Sequence, residues 1–159
     1  GAKFTRLYFK DCYIDGTTDF IFGPSTALFE DCIIHSKRNS YVTAASTPKE
    51  AKYGYVFKHC KLTAEPGVDK VYLGRPWRPY AYTLFIECEL GKHIVLAGWH
   101  NWGKQSNEET ARYMEYKNTG EGANASERVA WSKQLTKKEA EAVTVDAIFR
   151  TQSNWNPID

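Results

Sequence analysis

Two short runs hold residues whose types could do chemistry together. In Gly16-Thr-Thr-Asp19-Phe-Ile-Phe-Gly23 a carboxylate opens an apolar, β-like stretch; in Leu73-Gly-Arg75-Pro-Trp77 an arginine leaves the end of a similar one. A carboxylate placed there is unfavourable unless a cation or hydrogen-bond donors meet it. If the two runs stack in register, Arg75 stands beside Asp19 and holds it ionised, which suits a nucleophile or an electrostatic stabiliser. A purely structural ion pair between neighbouring strands would read the same way. Trp77, Trp99 and Trp102 follow turn-like Gly or Pro positions, in Arg75-Pro-Trp77 and Ala97-Gly-Trp99-His-Asn-Trp102. Flat apolar faces beside polar groups suit sugar rings, so these tryptophans with Tyr80, Tyr82 and Arg75 suggest a groove for an acidic polysaccharide. Packing is the competing explanation for tryptophans on loops.

Other chemistries find no support. There is no G-x-S-x-G elbow, no phosphate loop and no dinucleotide fingerprint. His35, His59, His93 and His100 have no H-x-x-x-H spacing, and no cysteine pair is spaced C-x-x-C, so no metal site and no cofactor are expected. Asp11 with Asp15, and Glu30 with Asp31, flank turns and read as solvated strand ends.

The elements that must position these side chains come from a repeat. Phe9-Lys-Asp-Cys12-Tyr-Ile14, Phe29-Glu-Asp-Cys32-Ile-Ile34, Phe57-Lys-His-Cys60-Lys-Leu62 and Phe85-Ile-Glu-Cys88-Glu-Leu90 share one pattern, Phe-x-x-Cys-x-aliphatic. The cysteines are 20, 28 and 28 residues apart, the interval of a solenoid. Each repeat also holds a second β-rich run, and no helical period intervenes. The pattern therefore predicts an all-β, right-handed parallel β-helix with Phe and Cys ladders along its core. A β-sandwich would need four matches at solenoid intervals by chance. Phe and Cys, three positions apart, can both face inward only if the strand bends between them. Cysteines on adjacent coils come within disulfide range, so Cys12–Cys32 and Cys60–Cys88 are the natural pairs in an oxidising compartment; a reduced, buried stack is the alternative.

Composition sets the remaining bounds. The chain has 159 residues, 42% apolar, 25% charged and 14% aromatic, which excludes disorder and fits one domain. The formal net charge of +2, with scattered Lys and Arg, gives no reason to expect nucleic acid. No apolar run reaches the ~20 residues of a membrane span. Residues 1–117 are expected to form coils, with Ala111–Tyr116 as one more strand, and 118–159 a loop, a short helix and a tail. Thr136-Lys-Lys-Glu139 reads as a capping box opening that helix through Ala142. The tail reads as irregular, packing Ile148, Phe149 and Trp155 on the solenoid. Gly1-Ala2-Lys3-Phe4 runs straight into a strand pattern and reads as the cut end of something longer.

The combination of Gly16–Gly23, Leu73–Trp77 and Ala97–Trp102, continued by Tyr116-Lys-Asn-Thr-Gly120 and Arg128-Val-Ala-Trp131, resembles the pectin methylesterase (pectinesterase) family over nearly the whole chain. The resemblance implies a metal-free, cofactor-free carboxylic ester hydrolase that removes methyl groups from esterified polygalacturonate and is secreted or placed in the cell envelope. Asp19 matches the family's nucleophile and Arg75 the arginine that pairs with it and contacts substrate. Trp77 and Trp99 match groove aromatics. Cys12 and Cys32 match a disulfide of plant members. The family's general acid/base Asp and adjoining Gln lie about twenty residues before the nucleophile, and the eighteen residues before Asp19 contain no Gln-Asp pair. The chain is thus expected to need its preceding coils, or a complementing chain, for activity. The alternative is a non-catalytic β-solenoid that binds acidic polysaccharide. A calcium-dependent, lyase-like β-helix would need carboxylate clusters that the sequence lacks.

Overall fold

The computed structural model describes residues 5–150. The chain climbs a parallel β-helix, one coil at a time. The first coil carries β1 (Arg6–Lys10), β2 (Tyr13–Gly16) and β3 (Ile21–Gly23); the second carries β4 (Thr26–Glu30), β5 (Ile33–Ser36) and β6 (Tyr41–Ala45). The third holds β7 (Tyr55–Lys58), β8 (Lys61–Ala64) and β9 (Tyr72–Gly74), and the fourth β10 (Tyr82–Ile86) and β11 (Glu89–Leu90). After α1 (Asn107–Thr110) come β12 (Arg112–Tyr116), a 3-10 turn, β13 (Lys133–Gln134), α2 (Lys137–Glu141) and α3 (Val145–Arg150). Corresponding strands pair in parallel into three sheets, ordered β1-β4-β7-β10-β12-β13, β11-β8-β5-β2 and β3-β6-β9.

The repeat predicted from sequence is the register of these sheets. Phe9, Phe29, Phe57 and Phe85 are aligned partners on β1, β4, β7 and β10. Their rings stack at 4.9, 4.5 and 4.4 Å with interplanar angles of 8–9°. The bend between Phe and Cys is a single left-handed residue: Asp11, Asp31, His59 and Glu87 all have φ between 49° and 55°. That residue turns the chain from the first sheet into the second, so side chains on both sides of the corner face inward. The cysteine fills the corner. Cys32, Cys60 and Cys88 each place Sγ within 3.6 Å of the carbonyl of the Phe one coil below, and within 3.5 Å of the carbonyl two residues back. In the next coil Asn118 takes the cysteine's place, and its Oδ1 accepts from the Cys88 N–H at 2.9 Å.

Two expectations change here. Cys12 and Cys32 do sit on adjacent coils, but all four cysteines are free thiols: each is engaged as a corner donor to backbone carbonyls instead of bridging. Burial pushes the Cys32 thiol up to about 11, which keeps it a protonated donor. The tail is also more regular than expected. After the capping box, where Thr136 accepts from the Glu139 N–H and Glu139 from the Thr136 N–H, α3 follows. Ile148 and Phe149 pack against Leu28, Val56, Leu84 and Ile86 on the outer face of the long sheet. Trp155 lies outside the described residues.

A candidate active site on the three-stranded sheet

Asp19 sits at the threshold of β3, with φ +48°, a conformation that Asp tolerates better than most residues. Its N–H donates to the Tyr41 carbonyl at 2.9 Å, and the Ser40 hydroxyl donates to the Thr17 carbonyl, so the turn before β3 is tied to the coil above. Arg75 leaves the end of β9 with its N–H on the Thr43 carbonyl at 3.0 Å. The preceding glycine is required by a close approach. A Cβ on Gly74 would collide with Thr43 Oγ1, whose hydroxyl donates to the Leu73 carbonyl at 2.9 Å.

Two coils of stacking therefore carry Arg75 back to Asp19. The guanidinium forks onto the carboxylate, Nε to Oδ1 at 3.1 Å and Nη2 to Oδ2 at 2.6 Å. Both side chains are largely but not wholly buried, at 19% and 21% exposed. Charge-assisted, bidentate geometry of this kind fixes the direction of the carboxylate. The pairing expected from sequence is present, and it opens on solvent.

Trp77 follows Arg75 by two residues, with its N–H on the Ala45 carbonyl, and is 46% exposed. It meets Phe22, 64% exposed, edge to face at 6.1 Å and 64°. Two large aromatic surfaces left in water next to an ion pair form a shelf suited to a sugar ring. Phe22 was legible in principle: alternation along β3 points Ile21 inward and Phe22 outward.

Trp99 is a correction. It is 1% exposed, stacked on Tyr113 at 4.3 Å and packed against Phe85 at 6.0 Å, so it belongs to the core and cannot line a groove. The cause is the bridge Gly74↔Trp99, which makes residue 99 an inward position of the fourth coil. Gly98, at φ +76°, provides the turn that delivers it, and a Cβ there would collide with Arg128. Tyr82 is also buried, within the cluster under α3. The tryptophan that does reach the ion pair is Trp102, whose ring lies 3.9 Å from Arg75 Cζ.

A family profile described as Pectinesterase matches residues 2–152. The chain belongs to the pectinesterase family. It is 45% identical over 136 residues to "Pectinesterase 31" of Arabidopsis thaliana, covering 85% of this chain and 43% of that protein. Among solved structures it is similar to the pectin methylesterase from carrot, with TM-score 0.85 and 33% identity, covering 91% of this chain and 50% of that one. A pectin methylesterase solved in complex with a hexasaccharide matches with TM-score 0.80 and 29% identity over 96% of this chain and 52% of that one. The chain thus spans about half the length, or less, of these pectinesterase relatives. The parallel β-helix is the fold of the group, and Asp19 and Arg75 flank β3 and β9 of its three-stranded sheet, with Trp77 two residues beyond Arg75.

Proposed function

We propose that this chain supplies the nucleophile-bearing part of a pectin methylesterase acting on methyl-esterified polygalacturonate outside the cell. The observation that carries the reading is the solvent-reached Asp19–Arg75 fork beside the Phe22–Trp77 shelf, in a chain of this family. An Asp19 oxygen attacks the ester carbonyl carbon, and the carbonyl electron pair moves onto its oxygen. Collapse of the adduct breaks the bond to the methoxy group. The methoxy oxygen takes a proton from a general acid and leaves as methanol, and Asp19 remains joined to the sugar's C6 as a mixed anhydride. Water then adds, gives its proton to the same group acting as base, and frees both carboxylates. Arg75 aims the Asp19 carboxylate for attack and receives it again when water frees it, and its remaining N–H donors reach substrate. Trp77 and Phe22 stack against the galacturonate ring.

The proton-transfer group and the oxyanion donor would come from coils stacked on β1, β2 and β3. At that end Phe9, Ile14 and Phe20 line an open apolar recess of about 270 Å³ that another coil would fill. General acid–base catalysis contributes roughly 10²–10⁴-fold and a lost oxyanion donor about 10²–10³-fold, so the 159 residues alone should be nearly inert. Methanol release from esterified pectin tests this: the full-length protein should release it and the isolated chain almost none. A non-catalytic binder of acidic polysaccharide, which the aromatic shelf and Arg75 would also suit, releases methanol in neither form.

A further inference from the structure

The Arg75 guanidinium is held on more than the Asp19 side. Its Cζ lies 3.9 Å from the centroid of the Tyr41 ring and 3.9 Å from that of the Trp102 ring. A planar guanidinium has two faces, so the rings take one each, while its edge forks onto Asp19. Each ring is fixed in turn. Tyr41 stacks on Tyr72 at 5.2 Å and 20°, and its carbonyl receives the Asp19 N–H, so one residue touches both members of the pair. Trp102 has φ +65°, a conformation rare for a bulky side chain and retained where the surroundings over-determine it. Its N–H donates to His100 Nδ1 at 3.0 Å, and the His100 ring meets Tyr41 and Tyr72 edge-on at 5.5 and 5.3 Å. Asn107 closes the loop from behind, with Nδ2 on the Asn101 carbonyl at 3.1 Å and on the Pro76 carbonyl at 3.5 Å.

We propose that Trp102 and Tyr41 are positioning residues that clamp the Arg75 guanidinium between them and thereby hold Asp19 in its attacking geometry. This rests on the reading of Asp19 as nucleophile. Neither ring is needed for the charge of the pair; what they remove is freedom. Stripped of one ring, Arg75 can tilt off the carboxylate plane and admit water to its Nε–H, and Asp19 loses its fixed direction. The role differs from that of Trp77 and Phe22, which leave the ion pair untouched and offer their faces to solvent.

The test uses the full-length protein and its Trp102→Ala, Trp102→Phe and Tyr41→Leu variants, each with two readouts. The first is kcat and KM for methanol release from esterified polygalacturonate. Trp102→Ala and Tyr41→Leu should lower kcat by roughly 5- to 30-fold, the span of a desolvated cation–π contact, with KM within about twofold. Trp102→Phe, which keeps a ring face, should recover most of the loss. The second readout is the water-exchange rate of the Arg75 Nε–H by nitrogen NMR, which needs no activity. It should rise at least about tenfold in Trp102→Ala and Tyr41→Leu but not in Trp102→Phe. A rise in KM alone, or unchanged Nε–H exchange, overturns the clamp. If Asp19→Ala keeps full activity the nucleophile reading fails, while the exchange rates still decide whether the rings hold Arg75. Should Trp102→Ala not fold, Tyr41→Leu and Trp102→Phe decide the matter.

Discussion

Asp19 and Arg75 owe their geometry to backbone register. Asp19 lies two residues before β3 and Arg75 directly after β9, and each N–H is bonded to the coil between them. Arg75→Lys keeps the charge but loses the planar fork and the ring contacts, so it should lower kcat/KM by about 10- to 100-fold without unfolding the protein, as measured by methanol release and circular dichroism. The tryptophans separate just as clearly. Trp99→Ala should cost about 3–5 kcal/mol in a urea titration because it empties a filled core position. Trp77→Ala should change stability by less than about 1 kcal/mol yet weaken binding of pectin oligosaccharides in calorimetry. Asp19, Arg75 and Trp77 were legible in the sequence because each lies within or just past a recognisable β run. Trp99 and Trp102 were not, since a Gly-Trp-His-Asn-Trp spacing does not say which ring turns inward. That depends on Gly98 at φ +76° and Trp102 at φ +65°, on either side of the bridge from Trp99 to Gly74.

At the scale of elements, the Phe ladder and its corners hold the coils in register. Phe57 stacks on Phe29 and Phe85 at once and is fully buried, so Phe57→Ala should destabilise by about 3–5 kcal/mol. The spacing of Phe and Cys gave away this architecture because a period of whole coils survives in sequence. The left-handed corner was implied by the three-residue offset, but its occupants (Asp, Asp, His, Glu) carry no common signal. Beyond β11, His93 is buried with Nε2 unpartnered among the described residues, and burial pushes its pKa down from 6.5 to about 4. The folded protein therefore keeps His93 neutral while the unfolded chain takes up a proton below pH 6.5. Its contribution is complete above pH 6.5 and is lost as pH falls toward 4, on the order of 2 kcal/mol. Urea midpoints over that window should fall, and His93→Asn should flatten the decline.

The whole molecule is a stack whose two ends differ. At the C-terminal end Arg128 and Glu115 form a buried pair, Nε to Oε2 at 2.8 Å, and Arg128 also reaches the Val95 and Leu96 carbonyls at 3.1 Å. That pair ties β12 to the loop that leads into Trp99 and Trp102, so the last coil braces the site. The helices α2 and α3 cover the outer face of the long sheet; six residues are too few to show a helical period, which is why α3 was not visible in sequence. The other end presents the recess lined by Phe9, Ile14 and Phe20, next to Asp19 itself. An active site built across stacked coils draws its residues from several of them, and the proposed nucleophile and its arginine come from the first coil and the end of the third. Every role proposed for the site depends on Asp19 being that nucleophile. Methanol release by the full-length protein and its Asp19→Ala variant, at equal unfolding temperature, tests it most directly. A fall of at least about 10³-fold is expected; activity kept within tenfold would contradict it.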